Sequence, residues 1–190
     1  YFRTDILIMK FMGVDEIQIG SFALAHKLFE AGLFLFNPIA LVSFKYFVSN
    51  SNIYVNSPFS TKFKIVMTFA ALGGFAATCL GLLGPIFLSS FVKASYVEFW
   101  SIYYVLIVCY IFAFPSAILG QYLLAKKLEI RLFLVVSLVA IISFIIYVSF
   151  IHYYGAIGAV YGKLLIEIFL LILLFSAIIW FHDGRKKKVH

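Results

Sequence analysis

Charge is scarce in this sequence. Only 12% of its residues are Asp, Glu, Lys or Arg, where soluble domains carry about a quarter. With 64% hydrophobic residues and a mean hydropathy of +1.08, a solvated globular domain is excluded. Cysteine is nearly absent: Cys79 and Cys109 both lie in apolar runs. Without paired spacing they suggest neither a disulfide framework nor a metal site, and they read as small buried residues. No GxGxxG, Walker, HExxH or GxSxG motif occurs, so no chemistry is announced by motif. The apolar runs also lack period-2 alternation, which excludes a transmembrane β-barrel.

What remains is a set of continuous apolar runs, each near the ~20 residues that cross a hydrocarbon core of ~30 Å as helix. The pattern predicts an all-α polytopic membrane protein with about six spans: 1–12, 17–48, 62–86, 99–124, 132–150 and 156–181. Tyr1 stands inside an apolar run, so the expectation is that the first span is incomplete at its N-terminus.

Asn37-Pro38 sits mid-way in the second span, where proline should kink or break the helix. The end beyond it is expected to run along the interface. In the third span Gly73, Ala77 and Gly81 recur at every fourth position, a small-residue face for close helix approach. Gly84-Pro85 and Pro115 are further candidate bends. Phe99, Trp100, Tyr103 and Tyr104 open the fourth span as an interfacial aromatic belt. The fifth span is nearly featureless and expected against lipid.

The net charge of +7 does not point to nucleic acid, because the basic residues cluster at span ends. One set of connections carries Lys45, Lys62, Lys64, Lys126, Lys127, Arg131 and the 185–190 tail with Arg185 to Lys188. The other carries Asp15, Glu16, Glu98 and His152, with Lys93 alone among Lys and Arg. Strict alternation of this kind is a positive-inside signal. It predicts a cytoplasmic C-terminus and an external turn at Gly13-Val14-Asp15-Glu16.

Charges inside the spans are the candidate functional residues, since an intramembrane charge is costly and usually faces a cavity or a partner. At 1.5 Å per residue Arg3 lies ~14 Å from the external edge, Lys27 ~15 Å, Glu30 ~20 Å, Lys163 ~10 Å and Glu167 ~16 Å. Lys27 and Glu30 are i,i+3 and Asn37 continues their row; Lys163 and Glu167 are i,i+4. Both stripes are expected to look inward. Arg3 and Asp5 cannot share a direction, and Glu30 is the candidate partner of Arg3. Two readings are open: ion pairs that hold helices together, or a polar cavity. In the cavity, Arg3, Lys27 and Lys163 would hold an anionic group such as phosphate. Asp5, Glu30 and Glu167 would compensate charge or carry a coupling ion. His26, at i,i+4 from Glu30, is read as a packed imidazole.

The stretch Arg3-Thr4-Asp5, then Gly13, then Ile19-Gly20-Ser21-Phe22-Ala23-Leu24-Ala25-His26-Lys27-Leu28-Phe29-Glu30 resembles the MOP superfamily, and within it the polysaccharide exporters that flip O-antigen units. Those proteins show an R-x-D start and a "vG-x-Y-x-x-A-x-x-l-x-E" helix; Phe22 stands where the pattern prefers Tyr. Gly120 to Ala125 and Gly155 to Ala159 are also similar. The resemblance implies that residues 1–190 are the C-terminal transmembrane bundle, one lobe of a two-lobed alternating-access transporter whose N-terminal lobe is missing here. It implies an undecaprenyl-diphosphate-linked oligosaccharide as substrate and the bacterial inner membrane as location. Polysaccharide polymerase machinery would be a partner. No cofactor is implied beyond a coupling proton or sodium ion.

Three rivals stand beside this reading, the least favoured a non-transporting scaffold, which a cluster of intramembrane charges disfavours. A drug or cation antiporter of the same superfamily would favour acidic cavity residues, and here the acidic and basic candidates balance. A membrane polymerase or ligase would need a sizeable external loop carrying acid–base groups, and the external connections are short. A transporter that is not an enzyme is the expectation.

Overall fold

A computed structural model describes residues 4–49, 59–90, 92 and 98–186, and these are all-helical apart from short turns. Among the described residues there are five helices: α1 (Thr4–Phe11), α2 (Glu16–Ser49), α3 (Phe59–Leu88), α4 (Phe99–Ala125) and α5 (Glu129–Lys186). Four of them, α2 to α5, are long and apolar enough to cross a membrane. The membrane character read from the composition therefore has its structural counterpart in helices.

The centre of the bundle is α4. Its sequence is apolar all round, and such a helix belongs in an interior. Fifteen of its residues, from Phe99 to Leu123, are buried. Helices α2, α3 and α5 all pack against it. Half of the expected aromatic belt therefore turns inward: Phe99 and Tyr103 are buried, and only Tyr104 is exposed. The Tyr103 hydroxyl donates to the Leu80 carbonyl of α3 at 3.0 Å.

Proline does not break these helices. Pro38, Pro85 and Pro115 each lie inside a continuous helix. The second half of α2 does not leave for the interface, because aromatic pairs hold it on α4. Phe36 stacks on Phe114 with centroids 4.0 Å apart, and Phe47 meets Tyr122 edge-on at 5.4 Å. Pro38 faces outward, where the missing N–H and the ring meet no packed neighbour helix.

The small-residue face of α3 is real but differently placed. A Cβ on Gly73 would meet the backbone carbonyl of Tyr110, and one on Gly84 would meet the Tyr103 hydroxyl. Gly81 faces open space. The contact line thus runs through Gly73, Leu80 and Gly84, a seven-residue step and then a four-residue one, which together stay on one helix face better than a strict four-residue row.

At 1.5 Å per residue the 58 residues of α5 would span ~87 Å as a straight rod, far beyond a hydrocarbon core. They fold back at Gly155, whose φ of 59° and ψ of −137° are non-helical. A Cβ on Gly158 would run into the Phe150 carbonyl, and one on Gly162 would lie 3.3 Å from Ile146 Cγ2 and Tyr147 Cδ1. The two halves therefore run antiparallel. The fifth and sixth expected spans meet at one glycine instead of a five-residue loop. The first half buries a single stripe, Val139, Ser143, Tyr147 and Ile151, and exposes Phe133, Ile141, Phe144 and Ile145. That is the surface expected of a lipid-facing helix.

The two ends of the bundle differ. At one end the Gln18 side chain of α2 donates to Glu98, just before α4, at 2.8 Å, and its Oε1 approaches Gly155. At the other, Phe47, Ile65, Tyr122 and Ile178 line one crevice.

Candidate functional site

Helix α2 decides what its charges can reach. Its buried face is Phe22, Ala25, His26, Phe29, Phe36, Ala40 and Phe47. Each residue turns by about 100° from the last. Lys27 is thereby carried off that face and is exposed, Glu30 is half-buried on the flank, and Asn37 is exposed. The expectation that Lys27, Glu30 and Asn37 look into the bundle is corrected: large aromatic side chains take the interior line, and the polar row lies beside it. The residue that enters is His26, 4% exposed. Its signal was present in the spacing, since Phe22, Ala25, His26 and Phe29 trace one helical face that runs on to Phe36.

Three helices then converge. From α1 comes Asp5, 3% exposed, whose Oδ1 accepts the Ile6 N–H at 2.8 Å. Its Oδ2 lies 4.0 Å from His26 Nε2. On the other side of the ring, His26 Nδ1 lies 3.6 Å from Glu30 Oε1. The imidazole is stacked on Phe22 at 5.5 Å and tilted against Phe29 at 6.1 Å. From the second half of α5 come Lys163 and Glu167, both buried. Lys163 Nζ stands 5.2 Å from the centre of the Phe29 ring, a cation–π contact. Its charge reaches Asp5, His26 and Glu167.

Of the sequence candidates, Asp5, Lys163 and Glu167 are thus buried at one place with Glu30 at its edge. Lys27 is not part of it, and Arg3 lies outside the described residues. Asp5 faces His26 of α2 across a gap of 4.0 Å. No group of three or more His, Cys, Asp or Glu side chains suited to a metal ion occurs among the described residues. Cys79 and Cys109 are free thiols, Cys109 buried and donating to the Val105 carbonyl at 3.4 Å.

On the opposite side of α2 lie two apolar cavities between α2 and α3, floored by α4, of about 350 and 320 Å³. Gly32 and Tyr110 border both. Comparison with protein-family models, with curated proteins and with solved structures finds no match.

Proposed function

We propose that this chain is the C-terminal lobe, of about six membrane crossings, of a flippase. It would carry an undecaprenyl-diphosphate-linked oligosaccharide, of the O-antigen kind, across the bacterial inner membrane by alternating access, with its C-terminus in the cytoplasm. The observation that carries the reading is the polar flank of α2. Exposed Lys27 and Asn37 and half-buried Glu30 lie on a membrane-length helix beside the buried Asp5, His26 and Lys163. A lysine facing hydrocarbon is costly, so that flank suits a wet cavity or a second lobe. The sequence resemblance supplies the substrate class. In this reading Lys27 offers its ammonium to the cavity, Lys163 stands behind it, and Arg3 adds a bidentate phosphate contact.

A cation or drug antiporter is the second reading, and one observation favours it. Among the described residues, the buried cluster holds Asp5 and Glu167, with Glu30 at its edge, against a single lysine, Lys163. The test expresses the gene for this chain, together with the first lobe that the resemblance implies, in cells lacking their own O-antigen flippase. Surface polysaccharide is scored for wild type and for the variant with Arg3, Lys27 and Lys163 all changed to Ala. Rescue by wild type and its loss in the triple variant at equal membrane abundance is the expected result. Rescue by both would end the phosphate-site assignment. Failure of wild type with a matched sugar pathway, together with cation-coupled drug efflux, would replace the flippase with the antiporter.

A further inference from the structure

The ring of His26 is held between two carboxylates from two helices. Nε2 points at Asp5 of α1 and Nδ1 at Glu30 of α2, at 4.0 and 3.6 Å. A neutral imidazole carries one N–H, on one nitrogen only. Two contacts with carboxylate oxygens need two hydrogens. With one, a nitrogen lone pair faces a carboxylate oxygen, which is repulsive. The structure has that signature: Nε2 is buried and without a hydrogen-bond partner among the described residues. A gap of 4.0 Å is too long for a hydrogen bond, and a buried polar atom left in that condition is costly.

We infer that Asp5, His26 and Glu30 form a proton-binding site in which the second proton on His26 ties α1 to α2. The proton arrives from water and adds to the Nε2 lone pair; no bond within the protein breaks. Nε2–H then donates to Asp5 Oδ2 while Nδ1–H faces Glu30. Closing the gap to hydrogen-bond length moves α1 by about 1 Å towards α2. Among the stronger helix contacts of the described residues α1 packs on α2 and α5, and the new bond adds to the first of these. Every helix around the ring sets the balance. Asp5 faces it from α1 and Glu30 from α2. Lys163 faces it from α5, with Glu167 one turn further on. From α4, Tyr110 stacks on Phe29 behind it. Burial of the ring and the Lys163 ammonium oppose the added proton, and the two facing carboxylates draw it. Within the transporter reading this is the seat of the coupling ion; the site itself does not depend on that reading.

The chain, uniformly labelled with 15N, is placed in lipid nanodiscs. The His26 signals are identified by their loss in His26→Gln. From about pH 9 to about pH 5, the His26 ring passes from one protonated nitrogen to two, and the amide signals of residues 4–11 move with it. Asp5→Asn leaves those amides unmoved, and Glu30→Gln displaces the transition by about one pH unit while α1 still responds. Sodium at fixed pH changes neither. A His26 that keeps one tautomer over the whole range, or that titrates with no response in α1, overturns the site, as does a shift driven by sodium in place of pH. Loss of polysaccharide rescue in cells with this titration intact would end the flippase reading and leave the site standing.

Discussion

At the scale of single residues, Tyr110 shows how polar atoms are satisfied in a bundle with little water. It is 1% exposed, its ring stacks on Phe29 at 4.7 Å, and its hydroxyl donates to the Phe29 carbonyl at 2.7 Å. Space for that hydroxyl exists only because residue 32 is glycine: a Cβ there would collide with it. Tyr110→Phe should therefore lose one buried interhelical bond, about 1 kcal/mol. Gly32→Ala should cost more, about 1–3 kcal/mol, through overpacking. The two changes should not add. With the hydroxyl gone the methyl has room, so Gly32→Ala should be milder in the Tyr110→Phe background. Thermal unfolding of the four forms in detergent checks this; strict additivity would mean that the hydroxyl does not fill the notch. Residue by residue, the site was legible as a set of types and depths and not as a set of directions. Asp5, Lys163 and Glu167 are buried because no lipid-facing position would tolerate them. That His26 turns inward was legible in the apolar face it shares with Phe22, Ala25 and Phe29, but that it meets Asp5 there depends on which flank of α2 faces α1, a property of neighbours that the α2 sequence alone does not hold.

At the scale of helices, length and hydropathy carried most of the fold, because a membrane leaves the backbone few choices besides the helix. The failures came where two helices meet. Proline reads as a kink or break at 38 and as a bend at 85 and 115, yet each lies inside a continuous helix, α2 and α3 packed on α4 and α4 packed among its neighbours. The hairpin turn of α5 was read as a loop because residues 151–155 look unremarkable, yet Gly155 alone supplies the reversal, in a backbone region closed to side chains. Helix α3 turns the same lesson into a prediction. Gly73 and Gly81 stand in one row by sequence and should tolerate alanine equally if that row were the interface. The structure separates them: Gly73 lies against the Tyr110 backbone and Gly81 against nothing within 4 Å. Gly73→Ala should destabilise by about 1–3 kcal/mol, since backbone cannot step aside as a side chain can. Gly81→Ala should stabilise by about 0.5–1 kcal/mol, through the helix preference of alanine. The difference in melting temperature between the two variants decides it; equal effects would restore the sequence row as the contact face.

For the whole molecule, the proposed orientation sets the two ends of the bundle on opposite sides of a membrane, and the charge bias supports one assignment of sides. Gln18, Glu98 and Gly155 come together at one end, beside the turn that carries Asp15 and Glu16. Phe47, Ile65, Tyr122 and Ile178 come together at the other, beside Lys45, Lys64, Lys126 and Lys127. The alternation of charge along the sequence and the alternation of ends in space are independent observations, one of composition and one of packing, and they agree. In the proposed orientation the positive-inside bias puts the lysine end in the cytoplasm. In a background with Cys79 and Cys109 replaced by Ala, single cysteines go to two exposed turn positions, Asp15→Cys and Lys127→Cys. A membrane-impermeant maleimide applied to spheroplasts should label position 15 at once, and position 127 only after the membrane is opened. The reverse pattern would keep the crossings and invert the protein, placing the lysines outside against the charge bias. Labelling of both from the outside would be the more serious result. It would require either the stretch from α2 to α4 to cross an even number of times, or α3, whose exposed apolar face is broad, to lie along the membrane instead of through it. The close approach of Gly73 and Gly84 to α4, eleven residues apart on α3 and so ~16 Å along its axis, argues against that second arrangement, because α3 follows α4 over several turns and must share its direction through the bilayer.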